Sequence, residues 1–112
     1  KVHVAAETLA VGQSVVKGRV TAPVAVLDDG DLSAVPERAV VVLDTDFDDE
    51  FRGDLSKVAG IVSAKTGMTG YPAMVARELD VPMVGDADLE GIDAGSVVTV
   101  DGERGVVYAG DS

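Results

Sequence analysis

The stretch that decides the fold runs Ala59-Gly60-Ile61-Val62-Ser63-Ala64-Lys65-Thr66-Gly67-Met68-Thr69-Gly70-Tyr71-Pro72-Ala73-Met74-Val75-Ala76-Arg77-Glu78-Leu79-Asp80-Val81-Pro82-Met83-Val84-Gly85. Its opening is small, apolar and β-rich, and reads as a buried strand at Gly60 to Val62. A Gly/Thr loop follows. Pro72 then sits in the first turn of a helix expected over Pro72 to Leu79, which Val81-Pro82 stops before a short strand at Met83 to Val84. A loop feeding a helix N-terminus presents free backbone N–H groups where an anion can sit, so Thr66, Gly67, Thr69 and Gly70 are a candidate anion loop. The plain alternative is an ordinary strand-to-helix connection.

Outward from this unit, β-rich runs predict strands at Val2 to Ala5, Ser14 to Val20, Val24 to Leu27, Ala39 to Leu43, Val97 to Val100 and Gly105 to Tyr108. Asp101-Gly102 between the last two is a hairpin turn signal. A second helix is expected over Asp49 to Val58, from its acidic start and from Leu55 and Val58 on one face. Many strands and few helices, without regular βαβ alternation, predict a mixed sheet curled into a barrel-like sandwich with helices on one side. The fold class is α/β, of the three-layer β/β/α kind.

The chain has 112 residues, no cysteine, and 20 acidic against 9 basic side chains, for a formal charge of −11. That length suits one compact domain. Absence of cysteine excludes disulfides, thiolate catalysis and sulfur-ligated zinc. The charge disfavours nucleic acid, since no Lys/Arg cluster offsets it. No apolar run approaches the roughly 18 residues of a membrane span and no leader pattern opens the sequence, so a cytoplasmic protein without a membrane partner is expected. Of the acids 14 are Asp, and of the bases 4 are Lys. Dense short carboxylates with few lysines fit work in concentrated salt, where repulsion reaches only about 3 Å at molar ionic strength.

Other constellations carry less. Asp44, Asp46 and Asp48 alternate and lead into Asp49 and Glu50, like the opening of a calcium loop. However, the sixth position is Asp49 where glycine is needed, and the twelfth is Leu55 where glutamate is needed. A solvated acidic turn is the simpler reading, a loose cation site the other, and no metal ligand set is assigned. Asp28-Asp29-Gly30-Asp31 reads as an acidic turn, and Asp86, Asp88, Glu90 and Asp93 repeat the theme beside Gly91 and Gly95. Gly12 and Gly18 lack the spacing of a nucleotide fingerprint, and no serine has a His/Asp partner set. His3 lies among alternating apolar residues and reads as a strand residue.

Ala59-Gly60-Ile61-Val62-Ser63, Gly67-Met68-Thr69, Val75-Ala76-Arg77-Glu78-Leu79, Val81-Pro82 and Val84-Gly85 together resemble the mobile, swivelling phosphohistidine domain of phosphoenolpyruvate-utilising enzymes. The likeness extends to Thr45-Asp46, to Gly95-Ser96-Val97-Val98-Thr99-Val100-Asp101-Gly102, and to Gly105 and Val107-Tyr108, covering about residues 12 to 110. The resemblance implies a three-layer β/β/α domain whose histidine carries phosphate between two active sites. At the histidine's position stands Tyr71, flanked by Gly70 and Pro72 where the family has serine and alanine. A histidine shuttle works because the ring nitrogen is nucleophilic near neutral pH and the phosphoramidate is energetic. A phenol, ordinarily titrating near ~10, is protonated there and its ester is a poorer donor. The carrier function is therefore expected to be lost. Thr69 matches the family threonine and reads as a cap; Arg77 reads as a surface ion-pair residue.

Lys1 is not an initiator methionine, and a longer parent is expected. Lys1-Val2-His3-Val4 resembles the last strand of a pyruvate kinase core, so residues 1–10 are read as the end of a preceding domain and 11–112 as the mobile-like domain. The resemblance implies the extra C-terminal domain of a pyruvate kinase, from a salt-adapted, haloarchaeal source. On that reading the domain itself is non-catalytic and needs no cofactor. Magnesium and potassium belong to the parent, and the partners are the parent's catalytic core and a tetramer. Alternatives are a phosphotransfer domain of a phosphoenolpyruvate synthase or dikinase, with Tyr71 or Thr69 as acceptor, and a free-standing binding module.

Overall fold

The computed structural model describes residues 7–35, 37–45, 47, 49–64 and 70–110. Among these, eight strands and one α-helix form: β1 (Thr8–Val11), β2 (Gln13–Val16), β3 (Arg19–Leu27), β4 (Ala39–Leu43), β5 (Val58–Ser63), α1 (Tyr71–Leu79), β6 (Met83–Gly85), β7 (Val97–Asp101) and β8 (Val106–Ala109). The strand order is β1-β8-β7-β3-β4-β5-β6-β2. β3 belongs to two sheets. Its first half, Arg19 to Pro23, pairs antiparallel with β7, and its second half, Val24 to Leu27, pairs parallel with β4.

The middle layer has a core on each face. Along β4, Val41 and Leu43 join the cluster facing α1, while Val40 and Val42 join the cluster facing β7 and β8. All five residues of β4 are buried, as a strand covered on both faces requires. Each such valine or leucine contributes roughly 1.5–3 kcal/mol of apolar burial. Between Ala39 and Val40 the register against β5 slips by a residue. The bulge puts Val58 and Ile61 on the helix side and Ala59 and Val62 on the other. The β/β/α layering expected from the sequence is the observed one.

The run expected as one strand from Ser14 to Val20 is broken at Lys17-Gly18, where Gly18 has φ +131°, and its second part merges with the run at Val24 into the long β3. β1 straddles the boundary expected between residues 10 and 11 and pairs with β8. The strand expected at Val2 to Ala5 lies outside the described residues. The helix over Asp49 to Val58 does not form. Arg52 instead bridges Asp31: its N–H donates to the Gly30 carbonyl at 2.7 Å, and its carbonyl accepts from Leu32 at 2.9 Å. Gly53 at φ +106° turns the chain, and Asp54 caps one 3₁₀ turn, Leu55–Lys57, before β5. Of the two residues on the face that suggested a helix, Val58 reaches the core from β5 while Leu55 stays 37% exposed, so no helical stripe is buried. Burial of Phe47 and Phe51 and the backbone bonds to residues 30 and 32 outweigh a weak local pattern.

α1 begins at Tyr71, buries Ala73, Val75 and Ala76, and ends on Asp80 in the left-handed region at φ 55°. The β7–β8 hairpin turns on Asp101, whose Oδ1 accepts from the Glu103 and Arg104 amides at 3.1 Å each.

Candidate functional site

The parallel strands β4 and β5 end at Leu43 and Ser63, and α1 starts beside those ends. There a cavity of about 210 Å³ is lined by Leu43, Phe47, Asp49, Ser63, Gly70, Tyr71 and Pro72. The carboxyl edge of parallel strands is where the side chains of successive loops converge, and hence where α/β sheets place their sites. Gly70 is the cap of α1, extended at φ −72°, ψ 174°, and Pro72 pre-sets the first turn.

Tyr71 is not a free-ended side chain. Its hydroxyl accepts a hydrogen bond from the backbone N–H of Phe51 at 3.0 Å. Its ring packs at 5.7 Å, tilted, on Phe51, which meets Phe47 at 5.9 Å. Three of the chain's four aromatic residues thus form one ladder from the helix start to the segment before β5. Offset and tilted ring pairs of this kind add about 0.5–1.5 kcal/mol beyond area burial.

On the neighbouring wall, Asp49 accepts from the Gly30 amide at 3.1 Å, from Arg52 Nη1 at 2.8 Å and from the Glu50 amide at 2.9 Å. The Gly30 N–H first, then the Arg52 guanidinium and the Glu50 N–H, hold its carboxyl down at about 2. The cavity wall therefore carries a fixed carboxylate at neutral pH, with Arg52 beside it. A second, more open hollow of about 500 Å³ lies between Asp44, Thr45, Ala64, Ala87, Asp88, Leu89 and Glu90.

Of the candidate residues, Gly70 and Tyr71 come together at the cavity. Thr66, Gly67, Thr69, His3, Asp46 and Asp48 lie outside the described residues. Asp44 accepts from the Thr45 amide at 2.6 Å, as a solvated turn does. Arg77 is exposed in the last turn of α1, away from the helix start. Among the described residues no group of three or more His, Asp or Glu is placed to hold a metal ion. Sequence reasoning missed Asp49 as a cavity wall and Phe51 as the partner of Tyr71, because it placed both in a helix. Phe47 and Phe51 are the chain's two phenylalanines, embedded in an acidic run, and that contrast was the available signal for a segment folded back on the core.

A family model for the PEP-utilising enzyme, mobile domain, matches residues 35–105. The chain is 49% identical over 59 residues to a phosphoenolpyruvate synthase of Aeropyrum pernix, covering 50% of this chain and 7% of that protein. It is 40% identical over 89 residues to a phosphoenolpyruvate-protein phosphotransferase of Haloferax volcanii, covering 73% and 16%. With a pyruvate kinase of Sporosarcina psychrophila it is 28% identical over 116 residues, covering 98% and 19%. The chain thus spans less than a fifth of these relatives. Among solved structures, an NMR structure of Enzyme I is 27% identical with a TM-score of 0.55, over 70% of this chain and 33% of that one. A chain of Thermococcus kodakaraensis aconitase X, 20% identical with a TM-score of 0.61 over 91% and 98%, shares the fold. With its residues 35–105 matched by that model, the chain belongs to the family of the PEP-utilising enzyme, mobile domain.

Proposed function

We propose that this is a mobile domain that no longer carries phosphate, and that it serves as the extra C-terminal domain of a cytoplasmic pyruvate kinase from a salt-adapted microbe. The observation that carries the reading is the bond from Phe51 N–H to the Tyr71 hydroxyl: the oxygen standing where relatives keep a reactive nitrogen is part of the packing. The pyruvate kinase relative supports the parent, because its alignment runs through 98% of this chain while the phosphoenolpyruvate synthase alignment covers 50%. On this reading the parent's core moves phosphate from phosphoenolpyruvate to ADP with magnesium and potassium. The present domain braces the core or the assembly, or tunes substrate response through a packed interface.

A second reading, a working phosphotransfer domain, is favoured by the 49% identity to the synthase of Aeropyrum pernix. Incubating the parent chain with labelled phosphoenolpyruvate separates the two. No covalent label on this domain is expected. An acid-stable phosphotyrosine at Tyr71 or phosphothreonine at Thr69 would overturn the reading. The parent with this domain deleted is expected to keep measurable turnover in an assembled core.

A further inference from the structure

The acidic turn Asp28-Asp29-Gly30-Asp31 contains one of the chain's two Asp-Gly dipeptides; the other is Asp101-Gly102. Such dipeptides are chemically fragile. The glycine amide nitrogen attacks the aspartate Cγ, an N–Cγ bond forms, and one carboxyl oxygen leaves as water with the amide proton. Water then reopens the cyclic imide at either carbonyl, giving aspartate or isoaspartate of unchanged composition. The reaction needs a free amide N–H and a backbone able to rotate toward the side chain.

The two dipeptides are held differently. At Asp101-Gly102 the glycine amide donates to the Gly18 carbonyl at 2.8 Å, within strand-to-strand packing so tight that a Cβ on Gly102 would meet the Val16 carbonyl at 2.0 Å. At Asp29-Gly30 the glycine amide donates to a side chain, Asp49 Oδ2, at 3.1 Å. The Asp29 carboxylate accepts from the Asp31 amide at 3.0 Å and lies 4.0 Å from Arg52 Nη2, which keeps it turned toward residue 31. The Gly30 backbone is pressed against Glu50, whose carbonyl would stand 1.8 Å from an added Cβ.

We propose that Asp49 guards a latent isoaspartate site at Asp29-Gly30, by occupying the Gly30 N–H and pinning the turn to the segment before β5. Arg52, bound to the same Asp49 oxygen at 2.8 Å, holds the guard in place. A carboxylate titrating at about 2 is too weak a base to take the amide proton, so it restrains the nitrogen without activating it. Asp29 itself is exposed, its side chain at 65%, so water reaches the imide once the turn is released.

The test ages the full parent chain at neutral pH and measures isoaspartate, and the imide lighter by one water, at both dipeptides by peptide mapping. In the wild-type chain both sites stay intact. Asp49→Ala should speed isomerisation at Asp29-Gly30 by about tenfold or more, the share expected for a lost hydrogen bond to a charged group, with Asp101-Gly102 unchanged. Asp49→Asn keeps an acceptor oxygen and should fall between. Equal rates at Asp29-Gly30 in wild type and Asp49→Ala would overturn the proposal, as would parallel acceleration at both dipeptides, which is the signature of lost fold.

Discussion

Tyr71→Phe is the sharpest perturbation of the slot, since it keeps the ring on Phe51 and removes one oxygen atom. That oxygen accepts the Phe51 N–H at 3.0 Å, and Phe51 is only 8% exposed, so no bulk water replaces it. Leaving a buried donor unpaired costs about 1–3 kcal/mol. The ring stacking at 5.7 Å is retained, so the loss is confined to the bond. The assay is native-state hydrogen exchange on the parent chain. The Phe51 amide should exchange about 5- to 150-fold faster in Tyr71→Phe, and the amides of Val41 and Ile61 in the core strands, which open with the whole domain, should quicken by no more than that factor. Tyr71→Ala, which also removes the ring, should add a packing loss of about 1–2 kcal/mol, below the fully buried aromatic range because Tyr71 is half-buried. If the Phe51 amide is as protected in Tyr71→Phe as in wild type, the phenol is not what holds the segment, and the reasoning from slot to strut fails.

Three further outcomes follow from the same geometry. Gly102→Ala should cost about 2–3 kcal/mol, read as a shift in urea midpoint, because its Cβ would meet the Val16 carbonyl at 2.0 Å and strands must part to admit it. Acid should weaken the domain through Asp49: its folded value of about 2 lies below the ordinary 3.8, so its contribution is present above about 3.8 and lost as pH falls toward 2. Asp31 and Asp54, lowered chiefly by the Ser33 and Ser56 hydrogen bonds, act in the same direction, and Asp49→Asn should flatten the acid limb of a stability profile. With 20 acidic against 9 basic side chains, the melting temperature should rise toward molar KCl, as screening shortens the repulsion range to about 3 Å; a flat response would remove the salt-adapted reading.

The layers were legible where residues speak locally. β4 is a run of five apolar residues buried on both faces, and a run without alternation is the mark of a strand between two covers. α1 was legible from Pro72 at its start and Val81-Pro82 after it, and the structure moves its first residue by one. The segment 49–58 misled because its pattern is weak: two apolar positions on a notional face, one of them exposed. Its real partners, Gly30, Leu32 and Tyr71, lie about 20 residues away in sequence on either side. Such bonds satisfy backbone groups without leaving a periodic trace. The same reason hid the ladder of Phe47, Phe51 and Tyr71.

Two effects bear on whether this slot could still pass phosphate, and their sizes differ. Freeing the Tyr71 oxygen means breaking its bond to Phe51 N–H, at about 1–3 kcal/mol, a rate factor of about 5 to 150. That alone would slow a carrier without silencing it. The chemistry of the acceptor weighs more, because a carrier must give up what it receives. A phenol oxygen is a poorer nucleophile than an imidazole nitrogen, and its ester holds phosphate more firmly. On the proposed reading the lock and the chemistry act in sequence, on loading and on release. Tyr71→His alone would repair the second and leave Gly70 as the cap and Pro72 in the first turn of α1. A histidine there would be expected to accept label from phosphoenolpyruvate only in a parent that also holds the phosphate-donating active site. Labelling of Tyr71→His in a pyruvate kinase core lacking such a site would mean that the core, not the slot, had been misread.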